Sequence, residues 1–257
     1  MLETPHPWLA GLFGLLIGSF LNVVIYRLPR GQSLVSPPST CPGCGTRIRP
    51  IDNIPVVSWL LLGGRCHNCH APISVQYPIV EAVTGALFLL VAWLTPAGPL
   101  LAARLILVVI LVVLFGIDLH HQILPNVITL PGIVIGFLFS LAGPPGWVSS
   151  LIGIALGGGL LYGIAAAYYL VRREEGLGMG DVKMLAMIGA FLGWKAVLVT
   201  LILSSFAGAL VGIGIIAFTR GTMKLALPFG TFLSLGALAA MLVGEPLVAW
   251  YSGFFVP

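Results

Sequence analysis

Charge is what this chain has least of. Only 8% of its 257 residues are Asp, Glu, Lys or Arg, while 58% are hydrophobic and the mean hydropathy is +1.08. A soluble domain carries about a quarter of its residues charged, so so little charge excludes a water-solvated globule and leaves a polytopic membrane protein. The net charge is only +4, with 12 basic residues spread along the chain, and no nucleic-acid partner is expected. Cysteine is missing from every apolar stretch, because all four lie between residues 41 and 69.

What is abundant is apolar length. A helix crosses the hydrocarbon core with about 20 residues, and about eight stretches are candidates: 8–27, 77–95, 100–118, 126–142, 148–171, 182–194, 196–218 and 228–250. The first has no basic segment ahead of it and exceeds the apolar core of a signal peptide, so it reads as a retained span. Lys and Arg mark cytoplasmic loops. Arg27, Arg30, Arg47, Arg49 and Arg65 border or fill the first inter-helix segment; Arg172 and Arg173 follow the fifth span, and Arg220 and Lys224 the seventh. This pattern puts those loops in the cytoplasm and both termini outside, with Arg104 and Lys195 as the two exceptions. Glycine pairs at small-xxx-small spacing (Gly14/Gly18, Gly132/Gly136, Gly153/Gly157, Gly208/Gly212) predict close contacts among the protein's own helices.

Residues 28–76 break the pattern, being polar and rich in proline. An insertion of this length rarely folds on a hydrophobic core alone. Its staple is legible in Cys41-Pro-Gly-Cys44 and Cys66-His-Asn-Cys69. Two such pairs can turn four thiolates toward one tetrahedral Zn²⁺, and a four-sulfur site is closed, so the metal would be structural. Redox dithiols and an iron–sulfur cluster are the alternatives, while a reducing compartment disfavours disulfides. His67 and His70 read as bystanders.

Of eight acidic residues, Glu3, Asp52, Glu174, Glu175 and Glu245 read as hydrated or locally paired charges. Glu81, Asp118 and Asp181 fall at the cytoplasmic ends of spans, at nearly one depth, where a carboxylate is costly and commonly faces a polar cavity. Asp118 also reads as a helix-end residue solvated by His120 and His121, and Asp181 as a helix N-cap. Gly178 and Gly180, ahead of Asp181, would admit a close backbone approach. Two aspartates a few ångströms apart share one proton. Such a pair activates water at one carboxyl and polarises a carbonyl with the other, cutting a peptide bond through a gem-diol. No His-Glu-x-x-His or Gly-x-Ser-x-Gly segment offers a competing nucleophile.

The stretch Gly178-Met-Gly-Asp181 fits the G-x-G-D signature of intramembrane aspartyl proteases. Together with GSFLNVVIYRLP (18–29), the tetracysteine segment (41–69), YPIVEAVTGALF (77–88), DLHHQILPN (118–126), GLGMGDVKMLAMIGAFLGW (176–194) and PFGTFLSLGA (228–237), it resembles the bacterial type 4 prepilin peptidases nearly end to end. The resemblance implies a bifunctional inner-membrane enzyme with its active site on the cytoplasmic side. It would remove the basic leader of type IV pilins and type II secretion pseudopilins after a Gly. It would then methylate the new N-terminal residue from S-adenosylmethionine. Asp118 and Asp181 match the catalytic pair, the four cysteines match the cytoplasmic motif, and Lys183 belongs to the G-x-G-D-V-K stretch. No methyl-donor loop is visible; Asn22, Arg27 and Glu81, where the cysteine loop meets the membrane, are the candidate pocket, with Glu81 equally able to pair with Arg27. A proton- or cation-coupled transporter, a presenilin-like protease without methyl transfer and an inactive assembly scaffold are the rival readings. The expected fold is an all-α polytopic membrane protein: a first transmembrane helix (1–27), a zinc-stapled cytoplasmic insertion (28–76) and a transmembrane aspartyl protease domain (77–257).

Overall fold

The structure, a computed structural model, describes residues 7–174, 178–219 and 227–253. Glu3, Glu175, Arg220 and Lys224, used in the charge argument above, lie outside the described residues. Eight α-helices are present among the described residues: α1 (Pro7–Arg27), α2 (Val57–Leu61), α3 (Gln76–Leu94), α4 (Pro99–His121), α5 (Asn126–Ser140), α6 (Trp147–Arg172), α7 (Met179–Thr219) and α8 (Phe229–Ser252). Pro99 occupies the first position of α4, where the missing N–H costs nothing. No strand forms among the described residues; two isolated bridges do, both in the insertion.

Six helices are long and apolar enough to cross a membrane, and α5 is shorter. The difference from the eight expected spans has a physical cause in α7. Gly193, with φ 79° and ψ 174°, breaks this helix into two arms, close to the boundary between the expected sixth and seventh spans. A Cβ at Gly193 would collide with the Ser149 hydroxyl and stand 2.9 Å from Pro145 Cβ. Three residues earlier, the Ala190 carbonyl accepts a 2.8 Å hydrogen bond from Ser150 Oγ. A neighbouring hydroxyl thus serves the backbone beside the break, as lipid cannot. The eight apolar segments are therefore all present, two of them joined.

The chain forms two compact units, Met1–Leu101 and Ala102–Pro257. In the first, α1 packs on α3. The contact is as close as it is because glycine lines it: a Cβ on Gly14 would lie 2.9 Å from the Gly85 Cα, and one on Gly18 would lie 2.7 Å from the Glu81 Cα. In the second unit α7 packs against α5, α6 and α8. Gly153 and Gly157 of α6 meet the Gly189 and Leu185 backbone of α7, while Gly132 and Gly136 of α5 receive Met187 and Phe191. Three of the four small-residue pairs are thus used inside the protein, as expected; among the described residues Gly208 and Gly212 have no such close helix contact, a Cβ there meeting only Phe232 at 3.5 Å and Leu227 at 3.1 Å. Leu107, Leu111, Leu114 and Ile117 of α4, with Met184, Leu185 and Ile188 of α7, are fully buried.

The insertion between α1 and α3 is less uniformly polar than its composition suggests. Its centre, Ile54 to Gly64, has no charged residue and contains α2.

Candidate active site

Asp118 sits one turn before the end of α4, which stops when Gln122 turns left-handed (φ 53°) and donates its N–H to the Asp118 carbonyl. The side chain is 4% exposed. Its Oδ2 accepts two hydrogen bonds from Thr231, one from the backbone N–H at 2.6 Å and one from the hydroxyl at 3.0 Å. Thr231 lies in the first turn of α8, where helix N–H groups have no partner of their own. The preceding Pro228 offers no side-chain cap. Asp118 therefore caps α8 from another helix, at the positive end of its dipole.

Asp181 lies in the first turn of α7, its N–H donating to the Gly178 carbonyl at 3.1 Å. The start of α7, which carries Asp181, and the start of α8, which Asp118 caps, close on one shared neighbour. Leu124, in the turn after α4, wedges between the two helix starts. A Cβ on Gly180 would lie 2.9 Å from Leu124 Cβ, and one on Gly230 would lie 2.9 Å from Leu124 Cδ1 and 3.0 Å from Asp118 Cγ. Gly180 and Gly230 thus let two helix N-termini close on one residue. Lys183, one turn into α7, donates to Asn126 Oδ1 at 2.8 Å and ties α7 to the start of α5. His120 turns back to the Gly116 carbonyl (2.8 Å) rather than to Asp118. The arrangement presents two carboxyl groups at paired helix N-termini, which suits water activation and stabilisation of a developing oxyanion.

Within residues 228–237 the sequence pattern singles out no side chain. Gly230 and Thr231 are the functional candidates it passed over; their signal, a Gly beside a hydroxyl at the start of an apolar helix, is too common to stand out.

In the other unit, the four cysteine sulfurs all lie within 4.8 Å of one another, with Cys41 and Cys69 Sγ at 3.7 Å. Four sulfurs about 2.3 Å from zinc stand roughly 3.8 Å apart at tetrahedral angles, so the donor set fits a metal ion. The two halves share one backbone plan. Cys41 N–H donates to the Thr46 carbonyl and Gly45 N–H to Cys41; Cys66 N–H donates to Ala71 and His70 N–H to Cys66. The bridges Thr40–Arg47 and Arg65–Pro72 close the knuckles. Gly45 (φ 69°) and His70 (φ 57°) take equivalent left-handed positions, so His70 serves the turn. His67 Nδ1 stands 4.0 Å from Asp52 Oδ1. Hydrogen bonding with Thr46, then with Asn68, brings the Cys44 thiol down to about 6, while burial and the neighbouring cysteines push Cys69 up to about 11; the fit to a metal rests on the convergence of the four sulfurs.

Asn22 and Glu81 are buried in the α1–α3 pair. Asn22 Nδ2 donates to the Gly18 and Tyr77 carbonyls at 3.3 and 3.1 Å. Glu81 Oε2 accepts the Val56 N–H at 2.7 Å, and Arg27 donates to the Ser33 carbonyl at 3.0 Å. Among the described residues no Glu81–Arg27 ion pair forms; Glu81 serves the loop instead.

Comparison with known sequences adds to this geometry. Residues 12–95 match the profile of the bacterial peptidase A24 N-terminal domain, and residues 105–213 that of the type IV leader peptidase family. A relative from Aeromonas hydrophila, named prepilin leader peptidase/N-methyltransferase, is 40% identical over 98% of this chain and 97% of its own. Relatives of the same name from Pseudomonas aeruginosa (36% identical, 95% of this chain and 92% of theirs) and Legionella pneumophila (33%, 98% and 97%) also align. No solved structure matches. With both profiles and near full-length relatives in agreement, the chain belongs to the type IV leader peptidase family.

Proposed function

We propose that this chain is an aspartic endopeptidase of the bacterial inner membrane that removes the basic leader of type IV prepilins or pseudopilins and then methylates the exposed N-terminus. The observation that carries this reading is the convergence of Asp118 and Asp181 at the starts of α8 and α7, in a chain whose relatives bear both activities in their name. Family membership favours it over a transporter, which would need no leader peptidase profile.

The ionised carboxylate of the pair takes a proton from water while its protonated partner hydrogen-bonds the scissile carbonyl oxygen. Attack of the water oxygen on the carbonyl carbon gives a gem-diol. Its collapse breaks the C–N bond as a proton passes to the leaving nitrogen, and the carboxyl pair returns to one shared proton. The helix N-termini at Gly180 and Thr231 bring positive dipole ends to the charge that develops. Gly178, Gly180 and Lys183 act as supports of Asp181.

Cys41, Cys44, Cys66 and Cys69 would hold Zn²⁺, which would close the insertion rather than join the chemistry, because four thiolates leave no open position. S-adenosylmethionine supplies the methyl group when bound. We assign its neighbourhood to Asn22, Arg27 and Glu81, where the buried Glu81 carboxyl would receive a sulfonium or a peptide ammonium. Arg27, Arg30, Arg47, Arg49, Arg65, Arg172 and Arg173 support a cytoplasmic active site with both termini outside. The parts divide as first helix (1–27), tetracysteine insertion (28–76) and protease domain (77–257).

The test is cleavage of a prepilin peptide by purified protein in detergent, with labelled methyl from S-adenosylmethionine followed into the product. Asp118→Ala and Asp181→Ala should each abolish cleavage with metal content unchanged. Full cleavage by either variant removes the dyad mechanism, and active cleavage without label transfer removes the second activity.

A further inference from the structure

The centre of the insertion exposes an apolar surface of its own. We propose that residues 54–64, with α2 at their middle, lie in the lipid interface at the N-terminal end of α3 as a monotopic anchor, with flanking arginines on anionic headgroups.

Depth is the first argument. The Val56 N–H bonds Glu81, the sixth residue of the membrane helix α3, about 7.5 Å along its axis at roughly 1.5 Å per residue. At this level Ile79 and Val83 of α3 are exposed, as lipid-facing side chains are. Interfacial helices bury their apolar face about 5–10 Å below the headgroups, a range comparable to the distance of Glu81 from the end of α3.

Composition and exposure follow the same logic. From Ile54 to Gly64 there is no charge, and Ile54, Val57, Leu60 and Leu61 are exposed, Leu61 at 83%. On either side stand exposed Arg47, Arg49 and Arg65, complementary to anionic lipid. Trp59 directs its indole N–H to the Ile73 carbonyl at 3.2 Å, an amphipathic ring placed as interfacial tryptophans are.

Backbone satisfaction is the independent observation. In the hydrocarbon boundary each N–H needs a protein acceptor. Here Ser58, Leu60, Leu62 and Gly64 donate to the carbonyls of Ile54, Val56, Ser58 and Trp59, and the Ser58 hydroxyl also bonds Ile54. Val56 is a β-branched residue at φ 63°, a strained conformation, and it is there that the buried Glu81 carboxyl receives the N–H.

The test uses the full chain in nanodiscs of phosphatidylethanolamine and phosphatidylglycerol. A photoreactive benzophenone amino acid replaces Leu61 in one variant and Asn68, at the exposed second knuckle, in another. The expected result is acyl-chain adducts at position 61 in several-fold excess over position 68. Equal yields at both positions, or adducts from position 61 only to this chain or to a prepilin, would overturn the proposal. If the Leu61 variant loses its metal, the same probe at Val57 gives the same two outcomes. The readout is lipid chemistry, so it stands or falls separately from peptidase activity.

Discussion

Gly230→Ala tests the active-site geometry with a single carbon. Gly230 is helical and its φ is not in the left-handed region, so alanine fits the backbone and by helix propensity adds about 0.5–1 kcal/mol of stability. The new Cβ, however, would stand 3.0 Å from both Cγ and Oδ2 of Asp118 and 2.9 Å from Leu124 Cδ1. Ordinary carbon contacts are about 3.5–4.0 Å, so something must retreat by roughly 0.5–1 Å. Leu124 can swing its terminal methyl. Asp118 cannot move without stretching its 2.6 Å and 3.0 Å bonds to Thr231. A misplacement of about 1 Å at a reacting group costs on the order of 100-fold in rate. We expect kcat for prepilin cleavage to fall by about 10- to 100-fold, with KM, metal content and thermal midpoint in detergent close to wild type. A variant that cleaves within about twofold of wild type, well short of the effect expected of a displaced group, would refute the idea that α8 positions Asp118.

Other outcomes follow from the same structure. Thr231→Val removes the hydroxyl bond but keeps the N–H bond; one hydrogen bond to a charged group is worth about 1.5–3 kcal/mol, so kcat should drop, with Thr231→Ser restoring it and shifting the pH–rate profile back. A Val variant with the wild-type profile would show that the hydroxyl is idle. Cys41→Ser combined with Cys66→Ser should remove the bound metal, measured by elemental analysis, and open residues 40–72 to proteolysis; a wild-type protein purified without metal would refute the site. Gly193→Ala, placed in a backbone region nearly restricted to glycine and aimed at Ser149 and Pro145, should lower stability by about 1–3 kcal/mol, read as a lower thermal midpoint in detergent.

Much of the candidate site is legible in the sequence because its signals are local. Two C-x2-C pairs announce converging thiolates by spacing alone, and the structure brings their sulfurs together. An aspartate after Gly-Met-Gly at the edge of an apolar run is conspicuous where acids number only 8. Glu81 stands out for the same reason; of its two readings, a ligand-binding acid or a partner of Arg27, the second does not form, and the Val56 N–H meets the carboxyl instead. Helix propensity and charge pairing could not foresee that choice, since it depends on a loop folding back beside α3. The apolar centre of the insertion was masked by the polar residues averaged around it.

Hydropathy and ligand spacing are properties of a stretch of chain, and by themselves they determined that this protein crosses a membrane many times, carries one four-sulfur site and keeps few acids in its spans. Contacts between helix ends are not such properties. Asp118 and Thr231 are 113 residues apart, and only the packing of α4, α7 and α8 decided that α8 begins on the Asp118 carboxyl, that Gly180 and Gly230 share Leu124, and that α7 breaks at Gly193. In lipid every buried polar group needs a protein partner, and which partner it finds is settled by the assembled helices alone.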